Sequence, residues 1–249
     1  MASFTPTIPA PRPTTSRGNR ADLPPVTGGG GDGGRPDPGS PDYGARLRRA
    51  RLGLAVALTP ILMLFVSFTS AYIVRQGLPT FDPHTNTVVH DWMPVPLPTL
   101  LFLINTCMLL VSSVTIELAR RQLARQVALE PVHSIPGVSL GKERRFPWLG
   151  LTIVLGLGFV AGQWLAWKEL ASRGFYVATG PSSSFVYLLT GGHAAHLLGG
   201  IIALLVAGTA VMLNRPLASR RIVVDVTAWY WHFMALLWIY ILALLEFAH

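Results

Sequence analysis

Long apolar segments alternate with short polar ones from about residue 52 to the C-terminus. Five of these segments are each long enough for a helix to cross a hydrocarbon core of roughly 30 Å. They cover about 52–74, 97–119, 147–170, 184–213 and 226–247. Pro181 and the serines after it are typical of a helix start. The pattern predicts an all-α integral membrane domain of five transmembrane helices over residues 45–249.

The segment that precedes the first helix has a different composition. Residues 1–44 are rich in proline and glycine and include the glycine run 28–31. Such a composition buries too little apolar surface to offset the entropy of ordering the chain. We therefore expect residues 1–44 to form a disordered tail.

The basic residues alternate with the helices and concentrate on one side of the predicted membrane. That side holds Arg46, Arg48, Arg49, Arg51, Arg120, Arg121, Arg125, Lys142, Arg144, Arg145, Arg215, Arg220 and Arg221. The other side receives Arg75, Lys168 and Arg173. Because basic residues are enriched in cytoplasmic loops, this asymmetry predicts that the N-terminus lies inside and the C-terminus outside.

The composition supports a membrane protein and excludes several other classes. The 249 residues are 51% hydrophobic and 13% charged, whereas soluble domains carry about a quarter charged residues. The sequence pI is near 10.4, but the basic residues lie between apolar segments and not on one soluble face, so no nucleic acid is expected as a partner. The single cysteine, Cys107, excludes an intrachain disulfide and a Cys-x-x-Cys-His haem attachment.

Three histidines fall within the last two predicted helices. His193 and His196 lie three residues apart, so they can face the same neighbour. His232 follows Trp229 and Trp231 in an aromatic run at the start of the last span. Zinc ligation, a single haem held between two helices, and hydrogen bonding within the bundle remain open as roles. The structural role is favoured, because zinc would need further ligands that the helices do not offer.

Small and amide residues indicate close contacts between helices. Gly192, Gly199 and Gly200 remove side-chain bulk from the fourth span, which lets apolar helices approach in lipid. Gln163 and Asn105 are amides in the middle of their spans, and interhelical hydrogen bonds explain such residues. We therefore expect these positions to pack the helices together.

The carboxylates are predicted to lie at helix ends. Glu117, Glu169, Asp225 and Glu246 all border the apolar segments. A proton relay within the membrane needs ionisable groups at depth. The pattern therefore argues against an autonomous pump or an ion-coupled transporter.

Several of these residues form a pattern that resembles subunit III of the haem–copper oxidases, the cytochrome c and quinol oxidases. The matching motifs are Ser182-Ser183-Ser184-Phe185, Thr190-Gly191, His193-x-x-His196-x-x-Gly199, Ala228-Trp229-Tyr230-Trp231-His232-Phe233 and Trp238. Weaker matches upstream are Ala71-Tyr72, Asn105-Thr106, Ser112-Ser113-x-Thr115-x-x-x-Ala119 and Gln163 with Ala166-Trp167. The resemblance covers about residues 52–247, and five spans resemble the short bacterial form of a family whose full form has seven helices.

The chain departs from the family pattern at two places. Many relatives carry a glutamate eleven residues before the tyrosine that matches Tyr72, and Ile61 occupies that position here. Relatives often have Ala-His-His where this chain has Ala119 followed by Arg120 and Arg121. A role of that glutamate in proton supply or lipid contact therefore does not carry over.

The resemblance implies a subunit of the aerobic respiratory chain in the bacterial plasma (inner) membrane. Haem and copper belong to the large catalytic subunit in this family, so no catalytic, cofactor-binding or metal-binding residue is expected in this chain. The implied partners are the catalytic subunit I, subunit II and membrane lipids, and the implied roles are stability, bound phospholipid and support of proton uptake. The group expected to serve structure and lipid contact is His193, His196, Trp229, Trp231, His232, Arg120 and Arg121.

Alternatives to a cytochrome c oxidase subunit remain at this point. One is subunit III of a quinol oxidase, and another is an accessory subunit of a nitric oxide reductase. A small membrane b-type cytochrome is the third. It differs from the others because it would carry haem itself.

Overall fold

The computed structural model describes residues 43–82, 86–89, 92–93, 95–133, 147–213 and 217–247. Its five helices are α1 Tyr43–Gly77, α2 Thr99–His133, α3 Trp148–Ser172, α4 Pro181–Met212 and α5 Leu217–Phe247. Each helix contains a window long and apolar enough to cross a membrane. The predicted all-α class with five candidate membrane spans is confirmed. The predicted tail lies outside the described residues, except that α1 already includes residues 43 and 44.

The helices extend beyond the apolar segments at one end of the bundle. α2 continues to His133 and α5 begins at Leu217, so Glu117 and Asp225 lie within helices and not at helix ends as predicted. An apolar segment shows which residues lie in lipid, but not where the helix ends. A helix makes its own backbone hydrogen bonds, and it continues into the polar region wherever side chains stabilise it.

A short antiparallel hairpin joins α1 to α2 and adds to the predicted helices. β1 (Thr80–Asp82) pairs with β2 (Thr87–Val89), with Thr80 opposite Val89. Asn86 adopts a left-handed backbone conformation with φ 51°, which asparagine tolerates better than most residues. Thr87-Val88-Val89 are β-branched and favour an extended strand.

The helices run alternately up and down. The arginine end is the end where α1 and α5 begin and α2 finishes; the hairpin end is the opposite one. α2 packs against α3 and α5, and α4 packs against α3 and α5. α1 is peripheral: it packs against α4 and α5, and 11% of its apolar window is buried. α1 remains helical through Pro60.

The core is aromatic along much of the bundle axis. Trp231, Trp238 and Phe159 are its large, fully buried side chains near the middle, and Tyr72 and Leu245 are buried toward the hairpin end. The outward faces of the helices carry exposed aliphatic side chains such as Leu103, Ile202 and Leu236. An apolar exterior around an apolar core is the arrangement that a lipid environment requires.

Candidate functional site

Five charged residues from three helices meet at the arginine end, and we call them the arginine cluster. Its members are Arg51 of α1, Glu117, Arg120 and Arg121 of α2, and Asp225 of α5. Its carboxylates come from two helices and its guanidinium groups from two. The cluster therefore fixes the relative positions of α1, α2 and α5.

Asp225 is the centre of this cluster. Arg51 donates to it from Nε and Nη2 at 2.9 and 3.0 Å, and Arg120 donates from Nη1 at 3.1 Å. The Asp225 side chain is 8% exposed, so its charge depends on these donors. Charge-assisted hydrogen bonds of this kind are roughly twice as strong as neutral ones.

Glu117 extends the cluster along α2. Arg120 donates to its carboxylate from Nε at 2.7 Å and from Nη2 at 2.9 Å, and Arg121 donates from Nε at 2.8 Å. The residues are three and four apart, which places them on neighbouring turns of one helix. Three guanidinium groups against two carboxylates leave the cluster with an excess positive charge.

His232 lies beside the cluster on α5. Its Nδ1 shares a hydrogen bond of 2.5 Å with the Ser113 hydroxyl, and its Nε2 is 3.7 Å from Glu117 Oε2. The histidine thus connects α5 to α2. These contacts of His232 are with α2 and not with His193 or His196.

Trp231 does contact the helix that carries those histidines. Its ring occupies the space beside two glycines: a Cβ on Gly156 would lie 2.7 Å from the ring, and one on Gly200 would lie 3.3 Å from it. The indole Nε1 donates to Ser112 Oγ at 2.9 Å. Because Gly156, Gly200 and Ser112 belong to α3, α4 and α2, four helices meet at this one side chain.

His196 is bound to its own helix. Its Nδ1 is 2.7 Å from the carbonyl oxygen of Gly192, and its ring meets Phe65 of α1 edge-on at 5.8 Å. Tyr230 donates from its hydroxyl to the backbone oxygen of His196 at 2.8 Å. The histidine therefore joins α1 and α5 to α4.

His193 is fully buried in an aromatic setting. Its ring lies 5.2 Å from Trp238 and 5.9 Å from Phe159. Neither ring nitrogen has a hydrogen-bond partner among the described residues. His193 is therefore separated from the hydrogen-bonded surroundings of His196 and His232.

The remaining predicted positions have different surroundings. Trp229 is 52% exposed and points away from the core. A Cβ on Gly192 or Gly199 would meet ordinary contacts at 3.7 Å, so these glycines are less tightly enclosed than Gly200. Gln163 is buried, and neither of its amide atoms has a partner among the described residues. A hydrogen bond between α2 and α3 does join Thr115 to Thr152, at 2.8 Å.

The reasoning from sequence missed the arginine cluster. Glu117, Arg120 and Arg121 have the spacing of charge pairs on a helix. This spacing is a local signal that the second helix continues past its apolar segment. No local pattern links Arg51 to Asp225, because 174 residues separate them. That pair is a product of the fold.

An open cleft of about 230 Å³ lies near the cluster at the arginine end. Its polar lining includes Gln122, Gln126 and Arg220, and its apolar lining includes Leu123 and Leu149. A cleft with both kinds of wall suits an amphipathic molecule. In the described part of the chain, no group of three His, Cys, Asp or Glu residues has an arrangement that would hold a metal ion.

Comparison with known proteins gives a consistent result. Residues 45–247 match the family model for cytochrome c oxidase subunit III. Cytochrome c oxidase subunit 3 of Danio rerio is 28% identical over 196 residues, which cover 77% of this chain and 66% of that protein. The probable cytochrome c oxidase subunit 3 of Mycobacterium leprae is 25% identical over 198 residues, covering 79% of this chain and 86% of that protein. That of Corynebacterium diphtheriae, named cytochrome c oxidase subunit 3, is 32% identical over 92 residues, which cover 37% of this chain and 45% of that protein.

Proposed function

Because the chain belongs to the cytochrome c oxidase subunit III family, we propose that it is the non-redox third subunit of a proton-translocating aerobic oxidase that passes electrons from cytochrome c to O₂. Its partners are the catalytic subunit I and subunit II, which carry the haem and copper. It resides in a bacterial plasma membrane with the arginine end inside. The basic residues at that end support this orientation.

A structural role is supported by the hydrogen bonds of two histidines. His196 is engaged by the carbonyl oxygen of Gly192, and His232 is engaged by the hydroxyl of Ser113. The first bond fixes the ring of His196 within α4, and the second joins α5 to α2, which is the role of polar side chains in a membrane bundle. The chain therefore contributes a scaffold against which the catalytic subunit packs.

Phospholipid binding at the arginine end is the second part of the proposal. The excess positive charge of the arginine cluster attracts anionic headgroups, an effect of about 1 kcal/mol per basic residue near the surface. Arg121 is exposed, and the cleft beside Arg220 offers an apolar wall for an acyl chain. Trp229 is exposed near this end and suits the membrane interface.

Support of proton uptake is the third part. Ile61 replaces the family glutamate and packs partly buried against the core, so α1 offers no carboxylate at that depth. The ionisable groups at the inner end include those of the arginine cluster and His232. We propose that these groups attract anions to the inner surface of the oxidase. Anionic buffer molecules carry protons, so the local concentration of protons bound to buffer rises as well.

The experiment is removal of this chain from the native oxidase. We expect the large subunit to co-purify with the intact chain, and we expect the complex without it to keep its haem spectrum but lose activity faster during turnover. Identification of the co-purified large subunit separates a cytochrome c oxidase from a quinol oxidase or a nitric oxide reductase. A haem band in the isolated chain would overturn the proposal.

The residues are tested by His193→Ala and His232→Ala in the same complex. We expect faster turnover-dependent inactivation for both variants. We expect less bound phospholipid, measured by mass spectrometry after extraction, for His232→Ala, because His232 lies beside the arginine cluster. If both quantities stay unchanged, these histidines have no part in the site. A periplasmic reporter that is active when fused after Arg121 would contradict the proposed orientation.

A further inference from the structure

Three polar side chains at the middle of the bundle lack hydrogen bonds that their burial requires. Asn105, Gln163 and His193 are 2%, 1% and 0% exposed. The atoms without partners among the described residues are Nδ2 of Asn105, both amide atoms of Gln163 and both ring nitrogens of His193. An apolar bundle in lipid has no bulk water to satisfy such atoms, so leaving them unpaired is costly.

These side chains surround one part of the core. Trp238 touches His193 at 5.2 Å and donates to Thr106, the residue next to Asn105, at 3.0 Å. Phe159 touches both Trp238 and His193, at 5.0 and 5.9 Å. Gln163 lies one helical turn beyond Phe159 on α3. The three polar groups therefore lie at similar depth, on α2, α3 and α4.

The close approach of α2 and α3 also supports a similar depth for Asn105 and Gln163. A Cβ on Gly162 would lie 2.0 Å from Oδ1 of Asn105. The glycine thus leaves room for the asparagine amide against the turn of α3 that carries Gln163. The bare backbone at Gly162 brings the two amides to the same level of the bundle.

The unpaired atoms also define the chemistry of a ligand. The amide nitrogens donate, Gln163 Oε1 accepts, and a neutral imidazole offers one donor and one acceptor. Burial excludes a lipid headgroup or a side chain of another subunit, and an ion would be costly at this depth without opposite charges. A small neutral molecule that both donates and accepts is complementary to the whole set.

We propose that Asn105, Gln163 and His193 form a binding site for internal water. Buried waters typically make about three hydrogen bonds to otherwise unpaired polar groups, which matches a site with donors and acceptors on three helices. The water connects α2, α3 and α4 at the depth where the protein supplies few other polar contacts. It also selects the tautomer and ring orientation of His193.

The test is a cryo-EM map of the native oxidase complex at a resolution that shows ordered water. We expect density within about 3.2 Å of a His193 nitrogen and of an amide atom of Gln163 or Asn105. Direct hydrogen bonding among these three side chains, or a dry site in a map that resolves other buried waters, would overturn the proposal.

A variant provides a second, independent measurement. Gln163→Met keeps a side chain of similar length but removes the amide, so we expect the water density to be lost and the temperature at which this subunit unfolds to fall. If Gln163 were unpaired and dry, the same substitution would raise that temperature, because an unsatisfied polar group would be removed. Gln76→Met is the matched control, since Gln76 is partly buried near the hairpin end of α1, away from the three polar groups.

Discussion

The arginine end and the middle of the bundle are held together by different interactions. At the arginine end, charged groups of α1, α2 and α5 meet at 2.7–3.1 Å. In the middle, Trp231 and Trp238 fill the space between helices, and glycines provide that space. In the described helices the charged residues lie toward the ends of the bundle, because desolvating them at mid-depth is costly. The comparison shows that contacts in this fold change type with depth.

The largest loss of stability is expected when the tryptophan at which four helices meet is removed. Trp231→Ala leaves a cavity in a closely packed core, and we expect a loss of about 3–5 kcal/mol in the free energy of unfolding. Thermal unfolding of this subunit within the purified oxidase measures the loss.

The control lies two residues away on the same helix. Trp229 is 52% exposed, whereas Trp231 is fully buried. Trp229→Ala is therefore expected to change stability by about 0.5 kcal/mol. Equal losses for the two variants would contradict the packing described here.

The second test weakens the charged end and leaves the middle intact. Asp225→Asn keeps the shape of the side chain but removes the charge that accepts from Arg51 and Arg120. We expect a loss of about 1.5–3 kcal/mol, because hydrogen bonds to charged groups contribute that much. Thermal unfolding at low and high salt measures the loss.

An ion pair at the hairpin end is the matched control. Glu169 accepts from Arg173 at 3.0 Å, and its side chain is 45% exposed, against 8% for Asp225. Exposed pairs contribute about 0–1 kcal/mol, so Glu169→Gln should have little effect. If it destabilised the protein as much as Asp225→Asn, burial would not explain the strength of the cluster.

The smallest test concerns a single neutral hydrogen bond between helices. Thr115→Val keeps the side-chain shape and removes the 2.8 Å bond to Thr152, together with a bond within α2 to the carbonyl oxygen of Ser112. We expect a loss of about 0.6 kcal/mol, the mean for such bonds in a membrane bundle.

Its control is a threonine that bonds within its own helix. Thr59 donates to the carbonyl oxygen of Ala55 on the exposed face of α1. Thr59→Val should leave the midpoint of thermal unfolding unchanged. A larger shift for Thr59→Val than for Thr115→Val would show that the bond between helices does not stabilise the bundle.

The sequence predicts the helices well, because length and apolarity are sufficient to identify a membrane span. It also marks Trp231 as a candidate for structure and lipid contact and Gly200 as a candidate for helix packing, since an aromatic run and a glycine stripe are visible locally. Gly156 was visible too, but the ring that fills the space beside it comes from a residue 75 positions later in the chain. Periodicity does not specify which distant side chain enters a given gap.

The contacts of the charged residues could not be predicted from the sequence either. Glu117, Arg120 and Arg121 follow a helical spacing that hydropathy does not detect, because hydropathy assigns charged residues to loops. Asp225 acquires its role only when α1 and α5 come together. The proposed lipid contacts of Arg120 and Arg121 and the proposed water at His193 depend on molecules outside the chain, and they stay predictions.

The peripheral position of α1 has a consequence for how the chain is assembled during synthesis. α1 is made first, yet its packing partners are α4 and α5, the last helices to be made. Its bonds reach Asp225 and Tyr240, more than 170 residues later in the chain. α1 must therefore remain in the lipid without these neighbours until α4 and α5 have been made, and a chain that stops before α5 would leave α1 without these bonds.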